Sequence, residues 1–287
     1  MYAIIGANGK VGRTTAAVLR ERGEAVRAIV RDAAAAQGLA EVGCSLVEAD
    51  INDADTLRAA LAGADAVQVI CPVNARAEPA AELFSQMIDR LAEALTATKP
   101  ARVLVISDYG AHLPVDTGIT STFYEMEQKL GNLPGQVTFL RSAEQMQNFA
   151  RVARNAIASG QFPSFHHPLE KIFPTVSAFD VGRISADLLM EANPPRVVHV
   201  EGPRRYRPLD VAAMLGEIAG REVTAVELPR EQWRDVLIRA GISPSYTDLV
   251  VRLNDAHNRG LIDVEPGSNE VRRGATDLRE VLKTLVS

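Results

Sequence analysis

Along the first 150 residues, short apolar runs alternate with stretches of helical periodicity. Residues 2–5 predict a short buried strand. Residues 11–22 predict a helix with Val11, Thr15, Val18 and Leu19 on one face and Gly23 as its stop. The same reading gives strands over 25–30, 45–47, 66–70, 102–107 and 137–141. It gives helices over 33–40, 56–62, 78–98 and 121–130, the second of them N-capped by Asn52 or Asp53. Strands joined by helices of such length pair in parallel through right-handed crossovers. Runs such as AVQVI and VLVIS are apolar throughout, as strands covered on both faces require. The expected fold class is α/β, a doubly wound parallel sheet.

Beyond residue 150 the rhythm loosens. The stretch 162–168, rich in aromatics, His and Pro, predicts a loop. Residues 174–179, 197–200 and 222–228 predict strands, 180–191 and 209–219 predict helices, and the remainder reads as mostly helical. The expected organisation is a dinucleotide-binding domain over 1–150, with residues about 174–202 returning to the sheet. A smaller, mostly helical substrate lobe over 151–287 lies against the carboxyl edge, where ligands bind in such folds.

Composition narrows the class. The 287 residues carry a net charge of −5, so no global basic field draws the chain to nucleic acid or an anionic membrane. Two cysteines, Cys44 and Cys71, make no disulfide framework and fit a reducing compartment. The N-terminal apolar run is too short for a signal peptide, and no stretch reaches the roughly 20 apolar residues of a membrane span. The expectation is a cytoplasmic monomer or homodimer acting on a small molecule, without nucleic-acid or membrane partners. No metal site is expected: His166 and His167 are adjacent and point apart in an extended loop, without metal-ligand spacing.

The chemistry begins at Gly6-Ala7-Asn8-Gly9-Lys10-Val11-Gly12, between the first strand and the first helix. Gly6 permits the turn, Gly9 leaves room for a pyrophosphate, and Gly12 lets the helix pack closely on the sheet. The helix N-terminus then offers N–H groups to the phosphates. The expected cofactor contacts in this loop are Gly6, Asn8, Gly9, Lys10, Val11 and Gly12. The second strand ends at Arg31, where an acidic residue would select NAD(H). Arg31 either pairs with a 2′-phosphate, favouring NADP(H), or is a solvated charge paired with Asp32. Asp50 and Ile51 are placed to bracket the adenine. Pro72 and Cys71 follow the fourth strand, and Cys71 either lies along the cofactor or is a buried small hydrophobe.

The segments IIGANGKVG, AIVRD, LVEADINDADTLRAALAGADAV, VSAFDVGRISADLLM, HVEGPRRYRPLDVAAMLGEIAGREV and LPREQWRDVL together resemble the NmrA-like group of atypical short-chain dehydrogenases/reductases. The resemblance covers nearly the whole chain. It implies a Rossmann fold and either an NADPH-dependent reductase of a small quinone, enone or carbonyl, or a non-catalytic redox-sensing regulator that acts through a partner. Short-chain dehydrogenases use Tyr-x-x-x-Lys, but here Tyr124 is followed four residues on by Gln128, and Lys129 reads as a solvated charge. Many NmrA-like reductases place Lys or His at a site that, counted without gaps, falls on Phe123. The resemblance makes Tyr124 and Ser107 the candidate catalytic residues. Tyr124 is either a proton carrier or a half-buried aromatic, and Ser107 either orients a carbonyl or caps a turn. Phe123, Asn148, Phe165 and His166 are the expected substrate-pocket residues; His166 reads equally as part of a surface loop.

Overall fold

The first-half apolar runs all become parallel strands in the computed structural model, which describes residues 1–268 and 270–287. They are β1 (Tyr2–Ile5), β2 (Val26–Val30), β3 (Ser45–Glu48), β4 (Ala66–Val69), β5 (Arg102–Asp108) and β6 (Gln136–Ser142). Helices α1 (Lys10–Glu21), α2 (Gln37–Glu41), α3 (Ala54–Leu61), α4 (Ala80–Thr98) and α5 (Ile119–Leu130) connect them. The second half supplies β7 (Glu144–Gln145), α6 (Ala153–Ser159), β8 (Gln161–Ser164), β9 (Thr175–Val176), α7 (Ala178–Met190), β10 (Val197–Glu201) and α8 (Pro208–Ala219). It continues with β11 (Thr224–Glu227), α9 (Trp233–Arg239), α10 (Pro244–Asn258), β12 (Val271–Arg273) and α11 (Leu278–Val286).

The main sheet runs β12-β10-β6-β5-β4-β1-β2-β3, with every pair parallel. The order reverses where β1 meets β4, which opens a crevice at the carboxyl ends of those strands. Alternate residues of β5 show how both faces are covered. Leu104 and Ile106 join the core under α1 and α7, while Val103 and Val105 join the core under α4 and α5. A third core, with Phe162, Tyr206, Leu215 and Leu278, binds the second-half helices together above the sheet edge.

The chain departs from the sequence reading in several places. The predicted loop over 162–168 is strand at its start, because β8 pairs in parallel with β11. The predicted strand over 174–179 shrinks to β9. Ser177 Oγ accepts from the Phe179 N–H (3.3 Å) and starts α7 there instead. The mostly helical remainder contains β12, which closes the far edge of the main sheet. The helix predicted over 33–40 splits into a 3₁₀ turn at Ala34–Ala36 and α2, with Asp32 Oδ1 accepting from the N–H groups of Ala34 and Ala35. Asp53 rather than Asn52 caps α3, accepting from Asp55 and Thr56.

Candidate functional site

The glycine loop sits at the crevice, and its three glycines are required for different reasons. Gly6 has φ +76°, a left-handed conformation that turns the chain out of β1. A Cβ on Gly12 would lie 2.5 Å from Gly6 O and 2.8 Å from Ala7 Cα, so α1 packs on the loop only through glycine. Gly9 is different. Its φ of −75° and ψ of 165° suit any residue, and a Cβ there would meet only Gly6 O, at an ordinary 3.4 Å. The fold does not need Gly9, and its missing side chain leaves the backbone of the loop bare on the exposed side. Gly9 is also the N-cap of α1 with no capping side chain, and no acidic residue stands in the first turn, so the helix N-terminus has no anion of its own. Lys10, exposed, begins the helix, and Val11 is buried beneath it.

This contrast gives a direct expectation. Gly12→Ala should lower stability by about 1–3 kcal/mol through backbone overlap. Gly9→Ala should cost no more than about 1 kcal/mol of stability yet weaken dinucleotide binding at least tenfold. Thermal unfolding and cofactor titration of the two variants would separate the effects, and equal behaviour in both assays would refute the distinction.

Beside the loop lies a cavity of about 390 Å³ lined by Asn8, Arg31, Asp32 and Ala35. Arg31 is exposed there and does not pair with Asp32, whose carboxylate is engaged in capping the 3₁₀ turn. The Arg31–Asp32 pair allowed by sequence is thus absent. Arg13, which the sequence reading did not single out, donates to Asn8 Oδ1, and Asn8 Nδ2 donates to Ala35 O (3.4 Å). A second guanidinium therefore supports the cavity wall. Its helical spacing from the loop was the only signal for it.

The neighbouring positions are less uniform. Asp50 is exposed and turns into α3, its Oδ1 accepting from the backbone and side-chain N–H of Asn52. Ile51 is buried in the core under α3 and α4. Cys71 is buried, its Sγ 3.4 Å from Met126 Sδ, and burial pushes the thiol up to about 12. The structure thus gives Cys71 the small-hydrophobe role and leaves exposed Pro72 at the crevice.

Across β4 from the loop, the end of β5 meets α5. Ser107 Oγ donates to Glu127 Oε1 (2.6 Å). Arg141 of β6 holds the same carboxylate through two bonds, Nε to Oε1 (2.9 Å) and Nη2 to Oε2 (2.7 Å), and reaches Glu265 through Nη1 (2.6 Å). Glu127 and Arg141 are fully enclosed, and the sequence reading missed both. With its proton engaged by Glu127, Ser107 offers lone pairs to a ligand, not the donor expected for orienting a carbonyl. The Phe123 ring lies 5.4 Å from Phe84 and packs among Ile119, Leu249 and Tyr246. Tyr124 is half-buried. Thr120 and Glu127, which touch Asp108 and Ser107 respectively, mark the face of α5 turned to the end of β5, and Phe123 and Tyr124 flank that face on either side, each three or four residues from both. Lys129, read as solvated, pairs with Asp89 (2.5 Å).

Above the sheet edge, His166 is no surface-loop residue. Its ring stacks on Phe173 (4.2 Å), meets His257 edge-on (5.3 Å), and places Nε2 3.4 Å from Glu144 Oε2. Burial pushes His257 down to about 3, helped by His166. Burial alone would raise Glu144; its bond to His166 and the nearby His charges hold it low. His167 points away to Trp233, and Phe165 also packs on Trp233, 5.5 Å between centroids. Asn148 is exposed and bonds Glu144. His166 and Asn148 thus meet at Glu144, whereas Phe165 packs with His167 on Trp233. No described helix is long and apolar enough to cross a membrane.

A family model for the NmrA-like family matches residues 2–280. An NAD(P)H azoreductase of Xenophilus azovorans is 27% identical over 258 residues, covering 88% of this chain and 86% of the relative. Quinone oxidoreductase 2 of Escherichia coli is 27% identical over 270 residues, covering 92% and 90%. Among solved structures, the triphenylmethane reductase of a Citrobacter species complexed with NADP(H) superposes with a TM-score of 0.84 at 19% identity, covering 99% of this chain and all of that one.

Proposed function

Because the chain belongs to the NmrA-like family, we propose that it is an NADP(H)-dependent oxidoreductase that reduces a small quinone or a related conjugated acceptor such as an azo compound or enone. The observation that carries this reading is the cradle at Gly9. It is a loop whose central glycine the fold does not require, at an uncapped helix N-terminus, beside a cavity faced by Arg31. Gly9 and the first turn of α1 would hold a pyrophosphate, and Arg31 would pair with a 2′-phosphate. The names of the relatives support the acceptor class: one reduces azo compounds with NAD(P)H and another is a quinone oxidoreductase. A third, similar in fold, binds NADP(H).

When bound, the cofactor supplies a hydride. The protein's own residues fix where it arrives. Gly6, Gly9 and Lys10 anchor the phosphates. The end of β5 and Tyr124 face the crevice across β4, with Ser107 available as an acceptor. The second-half lobe provides the substrate wall through Phe165, His166 and Asn148. The Tyr-x-x-x-Lys pair is missing, so the proton that accompanies the hydride comes from another group at the site or from water. Both cysteines are unpaired and buried, as suits a protein of a reducing compartment such as the cytoplasm, and the small-molecule site needs no second chain.

The test is a titration with NADPH and NADH, followed by NADPH oxidation at 340 nm (the nicotinamide absorbance) over a panel of benzoquinones, azo dyes and enones. Tighter NADPH binding and turnover on at least one class are expected. Tight binding with no turnover on any of them would replace the reductase with a sensor.

A further inference from the structure

Asp108 ends β5, one residue beyond Ser107, and nothing above gives it a task. Its Oδ2 accepts a hydrogen bond from Thr120 Oγ1 (2.6 Å), while the next backbone N–H, that of Tyr109, donates to Ser142 O (3.1 Å). Thr120 is fully buried in the first turn of α5. The groups facing Asp108 from the surrounding elements are Glu127 of α5, Glu144 of β7 and Tyr246 of α10. Two are carboxylates; the cations near them stand one group further out, Arg141 on Glu127 and Arg151 by Tyr246, and His166 lies against Glu144. Asp108 is half-buried at the carboxyl end of β5.

We propose that Asp108 is the catalytic acid: its protonated carboxyl touches the bound acceptor and delivers the proton that accompanies hydride transfer. The proposal rests on the reductase reading above. The hydride forms one new bond to the acceptor, and the electron pair of its C=O or N=N bond shifts to an oxygen or nitrogen. That atom bonds the Asp108 proton as the carboxyl O–H breaks. The resulting carboxylate regains a proton from water, which half-buried Asp108 can meet. The surroundings hold the acid ready: burial, with the charges of Glu144 and Glu127, pushes Asp108 up to about 7 against the lowering bond from Thr120. A substantial fraction is therefore protonated at neutral pH, as an effective acid needs. Ser107 cannot take this role while its proton is held by Glu127.

The experiment compares wild type with Asp108→Asn, Thr120→Val and Tyr124→Phe. Readouts are NADPH affinity, the pH profile of kcat/KM with a benzoquinone, and a carboxyl ¹³C NMR titration of the ligand-free protein. Wild-type kcat/KM should fall about tenfold per pH unit above its alkaline limb, and a carboxyl signal should titrate near the same pH. Asp108→Asn should abolish that signal, lower kcat about 100-fold or more, flatten the limb and leave NADPH affinity unchanged. Thr120→Val removes a bond that favours the carboxylate, so it should move both the limb and the signal to higher pH. This variant tests the idea even if Asp108→Asn fails to fold. Wild-type turnover with an unaltered Asp108→Asn rate and profile would overturn this proposal alone. So would a limb abolished only by Tyr124→Phe. Absence of wild-type turnover on every acceptor would overturn the reductase reading and this proposal with it.

Discussion

Arg31→Ala is expected to raise the Kd for NADPH about 30- to 100-fold while changing that for NADH less than about threefold. The magnitude follows from a charge-assisted bond to a phosphate, worth about 2–3 kcal/mol where roughly 1.4 kcal/mol is a factor of ten. The selectivity follows from position. Arg31 is the residue at the end of β2, exposed in the cavity beside Asn8, and its neighbour Asp32 is already engaged in capping the next turn. Arg31 is exposed, so salt screens its attraction for the phosphate and the preference for NADPH should weaken at high salt. Arg13, held by Asn8 against the same wall, is the source of any residual preference, and the Arg13→Ala, Arg31→Ala double variant should bind the two cofactors alike. Titrations by cofactor fluorescence at fixed salt would check this. An equal loss for NADPH and NADH would show that Arg31 supports the loop and not a 2′-phosphate.

Much of the cofactor half was legible because its signals are local. The alternation of runs announced a parallel sheet, and the glycine spacing fell between a strand and a helix. Arg31 could be placed from the strand end alone. The substrate half was not legible in the same way, because its contacts join distant segments. Counting back from the sixth strand pointed to Phe123, but the count could not show that its ring packs on Phe84 and among Ile119 and Leu249. Cys71 looked like a cofactor contact because it follows a strand, but Met126 of α5 covers it. His166 looked like a loop residue, and only the approach of Glu144, Phe173 and His257 buries it. β12 has three residues and two arginines, too short and too polar to reveal that it closes the sheet. The one missed feature with a sequence trace was Arg141, a cation ending a run that otherwise reads as buried strand. Such a residue calls for a buried anion, but the sequence does not say that Glu127, in a helix dense with polar residues, supplies it.

That pair gives the largest stability effect. Arg141→Met should destabilise the protein by about 3–5 kcal/mol, because it strands Glu127 as a buried charge. The side chains are 5% and 6% exposed, so water cannot replace the lost bonds without opening the sheet edge. Ser107 would be the remaining donor to the carboxylate in the present geometry, one hydrogen bond where there had been three. The double variant Glu127→Gln, Arg141→Met should recover much of the loss, since a buried ion pair replaced as a unit loses the attraction and the desolvation cost together. Glu265, which is 41% exposed, can then turn to solvent. Urea unfolding of the two single variants and the double variant would measure the coupling directly, provided the slope with denaturant stays constant. The same cycle separates stability from chemistry at the end of β5. In Glu127→Gln, Ser107 loses its charged acceptor but keeps its place beside Asp108, so NADPH affinity should hold while the unfolding midpoint falls. A cost below about 1 kcal/mol for Arg141→Met would mean the pair behaves as an exposed one, and that the sheet edge beneath the site is open to water.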